Sequence, residues 1–269
     1  MERTDGDGFD QATWDGVERL QHLVDGAHRI VFFGGAGVST ESGIPDFRST
    51  DGLYHQRFKY PPEVMLSRSF FDAHPAEFFD FHCRHLVHPE AKPNAAHRKL
   101  AEMERLGRLL AVVTQNIDGL HQAAGSHHVV ELHGNVGRGA CMTCGKVYPL
   151  GAMCRIVDGP AGKVSEGAQG ADGLPRCADD GGLIKPDVVL YEEPLKESSI
   201  RDAVDAIGRA DMLIIGGTSL NVYPAAGLID YYHGHDVVII NRDPTPADAT
   251  ATVLIKAPIA QVLDRIVIR

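Results

Sequence analysis

Five stretches and a cysteine pair carry residue types suited to chemistry. Gly34-Gly-Ala-Gly-Val-Ser-Thr-Glu-Ser-Gly-Ile-Pro-Asp-Phe-Arg48 is rich in small residues. Such a run lets backbone N–H groups approach a phosphate, and a helix that follows points its positive end there. An ordinary glycine turn has the same look. The dehydrogenase fingerprint is not met, because Gly35-x-Gly37 is followed at the third position by Thr40, so hydride transfer is disfavoured. Thr114-Gln-Asn-Ile-Asp-Gly-Leu-His121 offers donors and acceptors that match an amide and ribose hydroxyls. Taken alone, the same Asn and Asp also suit turns and helix N-caps. Glu131-Leu-His-Gly-Asn135 sets His133 between an apolar run and a Gly-Asn turn, which distinguishes it among 14 histidines. An imidazole with an ordinary pKa of about 6.5 suits proton transfer at neutral pH. Gly216-Gly-Thr-Ser-Leu220 and Asn241-Arg-Asp243 close the set, the latter with polar groups for a ribose or a purine edge. Cys141-x-x-Cys144 has the spacing of a metal site.

These stretches need elements to converge. Most of them follow a run that is apolar at every position: Ile30-Val-Phe-Phe33, Leu109-Leu-Ala-Val-Val113, Met212-Leu-Ile-Ile215 and Val237-Val-Ile-Ile240, with Val129-Val-Glu-Leu132 and Thr252-Val-Leu-Ile255 as further strands. Continuous apolar runs suit strands covered on both faces, as in parallel sheets. Helical spacing is seen at 12–27, at 94–105 and at 224–232. Alternating strands and helices predict an α/β fold, a doubly wound, mostly parallel Rossmann-like sheet, whose ligands bind beyond the carboxyl ends of the strands. Two regions break the alternation. Residues 50–90 are rich in His, Phe and Pro and read as short helices outside the sheet; residues 137–182 hold the cysteine pair and a glycine-rich stretch, 159–173, that reads as a loop. The expected division is a discontinuous nucleotide-binding domain (12–49, 91–136 and 183–269), a helical module at 50–90 and a small module at 137–182, with the sheet resuming near Val188.

Composition narrows the function. With 26 Lys and Arg against 36 Asp and Glu, the net charge is −10, which offers no basic footprint for nucleic acid. Apolar runs are of strand length and far short of the ~18 residues of a membrane span. The acidic opening residues lack a secretory pattern, so the expected location is cytoplasmic, and disulfides are not the default for the five cysteines. Cys83 reads as a small buried residue.

Taken in order, Gly-Ala-Gly-x-Ser, Gly-Ile-Pro-Asp-Phe-Arg, Thr-Gln-Asn-Ile-Asp-x-Leu-His, Glu-Leu-His-Gly-Asn, the cysteine pair, Lys185-Pro-Asp-Val-Val189 and Gly-Thr-Ser-Leu resemble the signature of the sirtuins, the NAD-dependent protein-lysine deacylases. The likeness runs from about Ile30 to Leu263. It implies removal of acyl groups, acetyl by preference, from lysine side chains of proteins or peptides, with NAD as co-substrate. Ala36, Thr40 and Arg48 would face the diphosphate side of NAD, with Phe47 over the nicotinamide ribose, and Gly35, Gly37 and Asp46 would also bind the cofactor. Gln115, Asn116, Ile117 and Asp118 would hold the nicotinamide and its ribose; Gly217, Thr218, Ser219, Asn241 and Ala257 would hold the adenosine half. His133 would be the base, with Asn116 and Asp118 as its catalytic companions. Val189, Leu190, Tyr191 and Val222 would bind the acyl-lysine peptide. Relatives that prefer succinyl or malonyl groups carry Tyr-x-x-Arg where this chain has Phe79 and His82, so no fixed cation is offered to a carboxylate. Where the family usually has Phe-Gly-Glu this chain has Tyr191-Glu192-Glu193, which adds charge near the tunnel mouth and suggests a preference for basic peptide flanks.

The family pattern also implies a structural zinc ion held by two Cys-x-x-Cys pairs. Here the second half reads Cys177-Ala-Asp-Asp180, after a spacer of 32 residues. Three readings stay open: Cys141, Cys144, Cys177 and Asp180 as ligands, Cys154 as the fourth ligand, or a weak or metal-free site. Two other functions compete with deacylation. Mono-ADP-ribosyl transfer shares the first step, and a non-catalytic nucleotide-binding module, such as the middle domain of thiamine-diphosphate enzymes, has no use for His133 beside a ribose.

Overall fold

The computed structural model describes residues 8–47, 52–154, 157–158, 163–164 and 170–269. Arg48 and most of the glycine-rich stretch, 159–162 and 165–169, lie outside the described residues. The chain opens with helix α1 (Gln11–Gly26), whose first turn is capped by Asp10 accepting from the Thr13 N–H. It buries Val17, Leu20 and Val24 at helical spacing. Strand β1 (Ile30–Gly34) follows and is buried at every position.

Helices α2 (Pro62–Met65), α3 (Arg68–Ala73) and α4 (Pro75–His85) lie outside the sheet. The chain returns through α5 (Ala95–Arg105) to β2 (Leu109–Thr114), then α6 (Leu120–Ala123) and β3 (Val129–Glu131). Strands β4 (Gly134–Cys141) and β5 (Val147–Pro149) leave the main sheet, and the two-residue strands β6 (Val157–Asp158) and β7 (Lys163–Val164) pair with each other. After β8 (Ile184–Val188) come α7 (Glu197–Arg209), β9 (Met212–Gly216), β10 (Asp236–Ile240), β11 (Val253–Ile255) and α8 (Ile259–Asp264).

Six strands form one parallel sheet in the order β11-β10-β9-β1-β2-β3. From β1 the chain proceeds outward through β2 and β3; the later strands build the opposite half through β9, β10 and β11. The reversal falls between β1 and β9, where Gly34 lies opposite Gly216, and a crevice opens there beyond the strand ends. Two mainly aliphatic cores cover the faces. One is centred on Phe32, Leu100, Ile214 and Val262, the other on Phe33, Val113, Ile207 and Ile215.

The structure departs from the expectation in three places, two of them in the smaller lobe. Strand β8 pairs antiparallel with β4 in a three-stranded sheet, order β5-β4-β8, so the main sheet resumes only at Met212. Its alternating burial is that of a strand with one covered face. Residues 225–231 form a 3₁₀ helix rather than an α-helix; the run is short and contains Gly227. Cys83 and Cys154 form a disulfide, against the default read from sequence. The fold brings α4 against the turn after β5, with the two Cα atoms 5.5 Å apart, inside the range a disulfide spans. Cys83 is half-buried rather than buried. The core of this lobe is aromatic, with Phe71, Phe78 and Phe79 in mutual edge-on contact. Among the described residues no helix is long and apolar enough to cross a membrane.

Candidate active site

The crevice between β1 and β9 continues into a cleft of about 540 Å³ between the sheet and the smaller lobe. Its floor is two glycine turns in contact. Gly37 N–H donates to the Gly217 carbonyl at 2.8 Å. A Cβ on Gly37 would stand 2.8 Å from the Gly217 Cα, and Gly217 itself has φ +59°, a conformation that favours glycine. The close approach leaves backbone facing the cleft at Gly35, Ala36, Gly37 and Thr40 on one side and Gly217, Thr218 and Ser219 on the other. Gln115, at the end of β2, donates from Nε2 to Thr218 Oγ1 at 3.0 Å and so ties the flanking strand ends across β1.

Deeper in the cleft the Asn116–Asp118 turn is held by its own polar groups. Asp118 Oδ1 accepts the Leu120 N–H at 2.9 Å, and Oδ2 accepts the Ser39 hydroxyl at 2.6 Å. Asn116 donates to Ser39 Oγ at 3.1 Å. Ser39 lay inside a quoted motif, yet nothing in its type alone marked it as the meeting point of these side chains.

His133 follows β3. Its Nδ1 lies 3.0 Å from the Gln115 carbonyl oxygen. A carbonyl only accepts, so Nδ1 carries the proton and Nε2 presents a lone pair. Burial lowers the His133 pKa and outweighs the opposing effect of that carbonyl, so the ring stays a neutral base further into acid than free histidine. The His133 carbonyl in turn accepts the Val189 N–H at 2.9 Å, which fixes the segment after β8 beside the base.

That segment is gripped from the other lobe as well. Tyr191 exchanges backbone hydrogen bonds with Leu66 and Arg68, and its hydroxyl meets that of Tyr54 at 2.5 Å. Tyr54 carried no signal in the sequence. Glu192, at φ +74°, turns its carboxylate onto Ser69, accepting from the backbone N–H at 2.8 Å and the hydroxyl at 2.9 Å. The free charge expected at the tunnel mouth is therefore committed to the first turn of α3. Glu193 is likewise paired, with Lys185 at 3.0 Å and Arg68 at 3.1 Å.

Every site residue named from the sequence for NAD or peptide lines this cleft except Arg48, which is outside the described residues; Asp46, Phe47, Ile117, Leu190, Val222, Asn241 and Ala257 are among the lining. Phe79 and His82 do not line it. Both are buried, and burial pushes the His82 pKa down to about 4, so this ring is no cation at neutral pH.

The cysteine cluster lies apart, where β4 meets β8. Ligand atoms of Cys141, Cys144, Cys177 and Asp180 all fall within 4.8 Å of one another. Cys144 and Cys177 sulfurs are 3.7 Å apart, and Asp180 Oδ1 is 3.3 Å from the Cys141 sulfur. Tetrahedral zinc with bonds of ~2.3 Å to sulfur needs sulfurs ~3.8 Å apart. The Tyr148 hydroxyl donates to the Cys177 sulfur at 3.0 Å, a partner outside the ligand set of the kind that orients a thiolate. The Gly182 N–H, with the neighbouring thiols, holds the Asp180 carboxyl down at about 2. Cys154, bonded to Cys83, is not part of this cluster.

Comparison with known proteins bears on the same cleft. Residues 35–224 match the model of the Sir2 family. A curated NAD-dependent protein deacetylase of Clostridium perfringens is 49% identical over 256 residues, 94% of this chain and 99% of that protein. Another, of Cutibacterium acnes, is 49% identical over 251 residues, 93% of this chain and 96% of that protein. Among solved structures, Sir2Tm bound to a propionylated peptide superposes with a TM-score of 0.78 at 35% identity, over 93% of this chain and 96% of that one.

Proposed function

The chain belongs to the Sir2 family and is an NAD-dependent protein-lysine deacetylase, and we propose that the cleft between the two lobes performs this reaction with His133 as its base. The observation that carries the assignment is the 3.0 Å contact of His133 Nδ1 with the Gln115 carbonyl oxygen in the cleft lining: the carbonyl takes the Nδ1 proton and leaves Nε2 as the basic nitrogen.

The glycine floor fits a dinucleotide, since a side chain at Gly37 or Gly217 would collide with the opposite turn and close it. NAD, when bound, supplies the sugar carbon that loses nicotinamide and the ribose hydroxyls that receive the acyl group. In this reading Asp118 accepts the carboxamide N–H and fixes the ring, while Asn116 and Gln115 hold the ribose. Ala36 and Thr40 face the diphosphate; Ser219, Asn241 and Ala257 hold the adenosine half. Val189, Leu190, Tyr191 and Val222 receive the acyl-lysine, with its main chain added as a strand beside the Val189 segment. His133 Nε2 takes a proton from a ribose hydroxyl, which makes that oxygen the acceptor of the acyl group. Proton transfer of this kind contributes ~10²–10⁴-fold. With Phe79 and His82 where relatives place Tyr and Arg, neutral acyl groups are the substrates.

Cys141, Cys144, Cys177 and Asp180 would hold one zinc ion, whose part is to fix the β4–β5 turn against β8; no catalytic step uses it.

The assay is release of nicotinamide from NAD with acetyl-lysine and succinyl-lysine peptides. One nicotinamide per acetyl group removed, and little turnover of the succinyl peptide, is expected. NAD cleavage that needs no acyl-peptide would reject the assignment. The acid limb of the rate should fall below pH 6.5, because burial favours the neutral His133.

A further inference from the structure

We propose that Glu193, braced by Lys185 and Arg68, is a positioning residue for the acyl-lysine, because it aims the Val189 carbonyl at the side-chain amide N–H of the substrate. The inference rests on the reading that residues 189–191 receive the acyl-lysine.

The main chain of this segment is almost fully paired. The Val189 N–H donates to the His133 carbonyl at 2.9 Å, the Tyr191 N–H donates to the Leu66 carbonyl at 3.0 Å, and the Tyr191 carbonyl accepts the Arg68 N–H at 3.0 Å. The Leu190 carbonyl accepts the Glu193 N–H at 3.0 Å, which closes a turn with Glu192, at φ +74°, in its third position. That turn carries the Glu193 side chain back onto the Leu190 N–H, which donates to Oε2 at 2.9 Å. Among the described residues, the Val189 carbonyl is the one main-chain group of the segment that meets no partner.

The Val189 carbonyl and the Leu190 N–H belong to the same planar trans peptide unit and point in opposite directions. Holding the N–H on Glu193 therefore sets the direction of the carbonyl. A backbone carbonyl is an obligatory acceptor, and the acyl-lysine side chain brings one N–H donor.

The carboxylate is itself fixed from two sides. Lys185 Nζ lies 3.0 Å from Oε2, and Arg68 Nη1 lies 3.1 Å from Oε1. Lys185 Nζ also donates to the Val188 carbonyl at 2.7 Å, so one ammonium group ties the residue before the acceptor to the carboxylate after it. The Lys185 and Glu193 side chains are each 16% exposed, so salt screens their pairing little. Burial raises the Glu193 pKa, but the Leu190 N–H, Lys185 and Arg68 outweigh it and hold the carboxyl below its ordinary value. It is an anion at neutral pH, and a charged acceptor grips the Leu190 N–H more firmly than a neutral one.

The test uses an acetyl-lysine peptide and its ester analogue, in which oxygen replaces the Nε–H and the shape is kept. Dissociation constants of both are measured for full-length parent, Glu193→Ala and Lys185→Met proteins. The parent should bind the amide more tightly by roughly two- to tenfold, the worth of one neutral hydrogen bond. Glu193→Ala should weaken the amide and bring that ratio close to one, with little change for the ester. Lys185→Met, in which Arg68 still holds Glu193, should lower the ratio part of the way, and it carries the test if Glu193→Ala does not fold. A merely structural brace would weaken both peptides alike. The parental ratio in both variants overturns the positioning role and leaves the peptide site standing. Equal affinity of the parent for amide and ester overturns the Val189 carbonyl as the acceptor, and the positioning role with it. Failure of the parent to bind either peptide overturns the reading of residues 189–191 as the acyl-lysine site.

Discussion

The two lobes are stabilised by different kinds of interaction. The parallel sheet is covered on both faces by aliphatic side chains, and β1 and β9 are buried at every position. Such a core is redundant, since many apolar contacts share the load and no single polar group is essential. The smaller lobe has a three-stranded sheet, an aromatic-rich core, one disulfide and a four-residue ligand cluster. There, a few specific bonds substitute for buried area. The cleft lies between them, so the sheet supplies a rigid cofactor floor while the smaller lobe supplies a wall set by individual cross-links.

Removing the metal should separate the lobes most. Chelation, or Asp180→Ala, is expected to melt residues around β4, β5 and β8 while the sheet persists, seen as two thermal transitions where the metal-loaded protein shows one. Asp180→Ala should weaken zinc affinity by more than the ~10–100-fold that follows loss of an outer partner. Unchanged zinc content would exclude Asp180 as a ligand.

Acid should act on both lobes at once. Burial lowers the pKa of His82 and His97 to about 4 and that of His121 to about 3. Each is neutral when folded and takes up a proton on unfolding below pH ~6.5. Their stabilising contribution is therefore whole above pH ~6.5 and is lost as pH falls toward the folded values. Urea midpoints from pH 7 to pH 5 should fall steeply, and His82→Gln should flatten that slope. Parallel slopes would show that His82 is solvated.

Cutting the Cys83–Cys154 link should cost about 2–4 kcal/mol, confined to the smaller lobe. A Cys83→Ser, Cys154→Ser pair measured against the oxidised parent reads this, and no difference would mean the bridge is strained or unformed. The smallest effect belongs to Glu192→Gly. Glycine removes the cost of φ +74° but also removes two hydrogen bonds to Ser69, so the net change should stay within about 1 kcal/mol. Glu192→Ala keeps the strained backbone and loses the bonds, and should be the less stable of the two.

The sheet was legible because strands buried on both faces must be apolar throughout, and Ile30–Phe33 or Met212–Ile215 can hardly be anything else. The strand-end residues were legible for the same reason, since polar groups directly after such runs stand at the sheet's carboxyl edge. The smaller lobe was less so. Ile184-x-Pro-x-Val188 alternates, but alternation over five residues is easily lost beside a stronger pattern, so its place outside the main sheet is hard to see in the sequence. The pairing of Cys83 with Cys154 spans 71 positions and depends on how α4 packs. The role of Glu192 depends on where the first turn of α3 comes to lie, and that of Ser39 on where Asn116 and Asp118 come to lie.

The most direct test of the central claim is product partition in purified His133→Ala protein given NAD and an acetyl-lysine peptide. Acyl transfer to ADP-ribose should fall by ~10²–10⁴-fold while nicotinamide exchange and the melting temperature stay near those of the parent. Formation of acyl-ADP-ribose at the parental rate would contradict the assignment of the base.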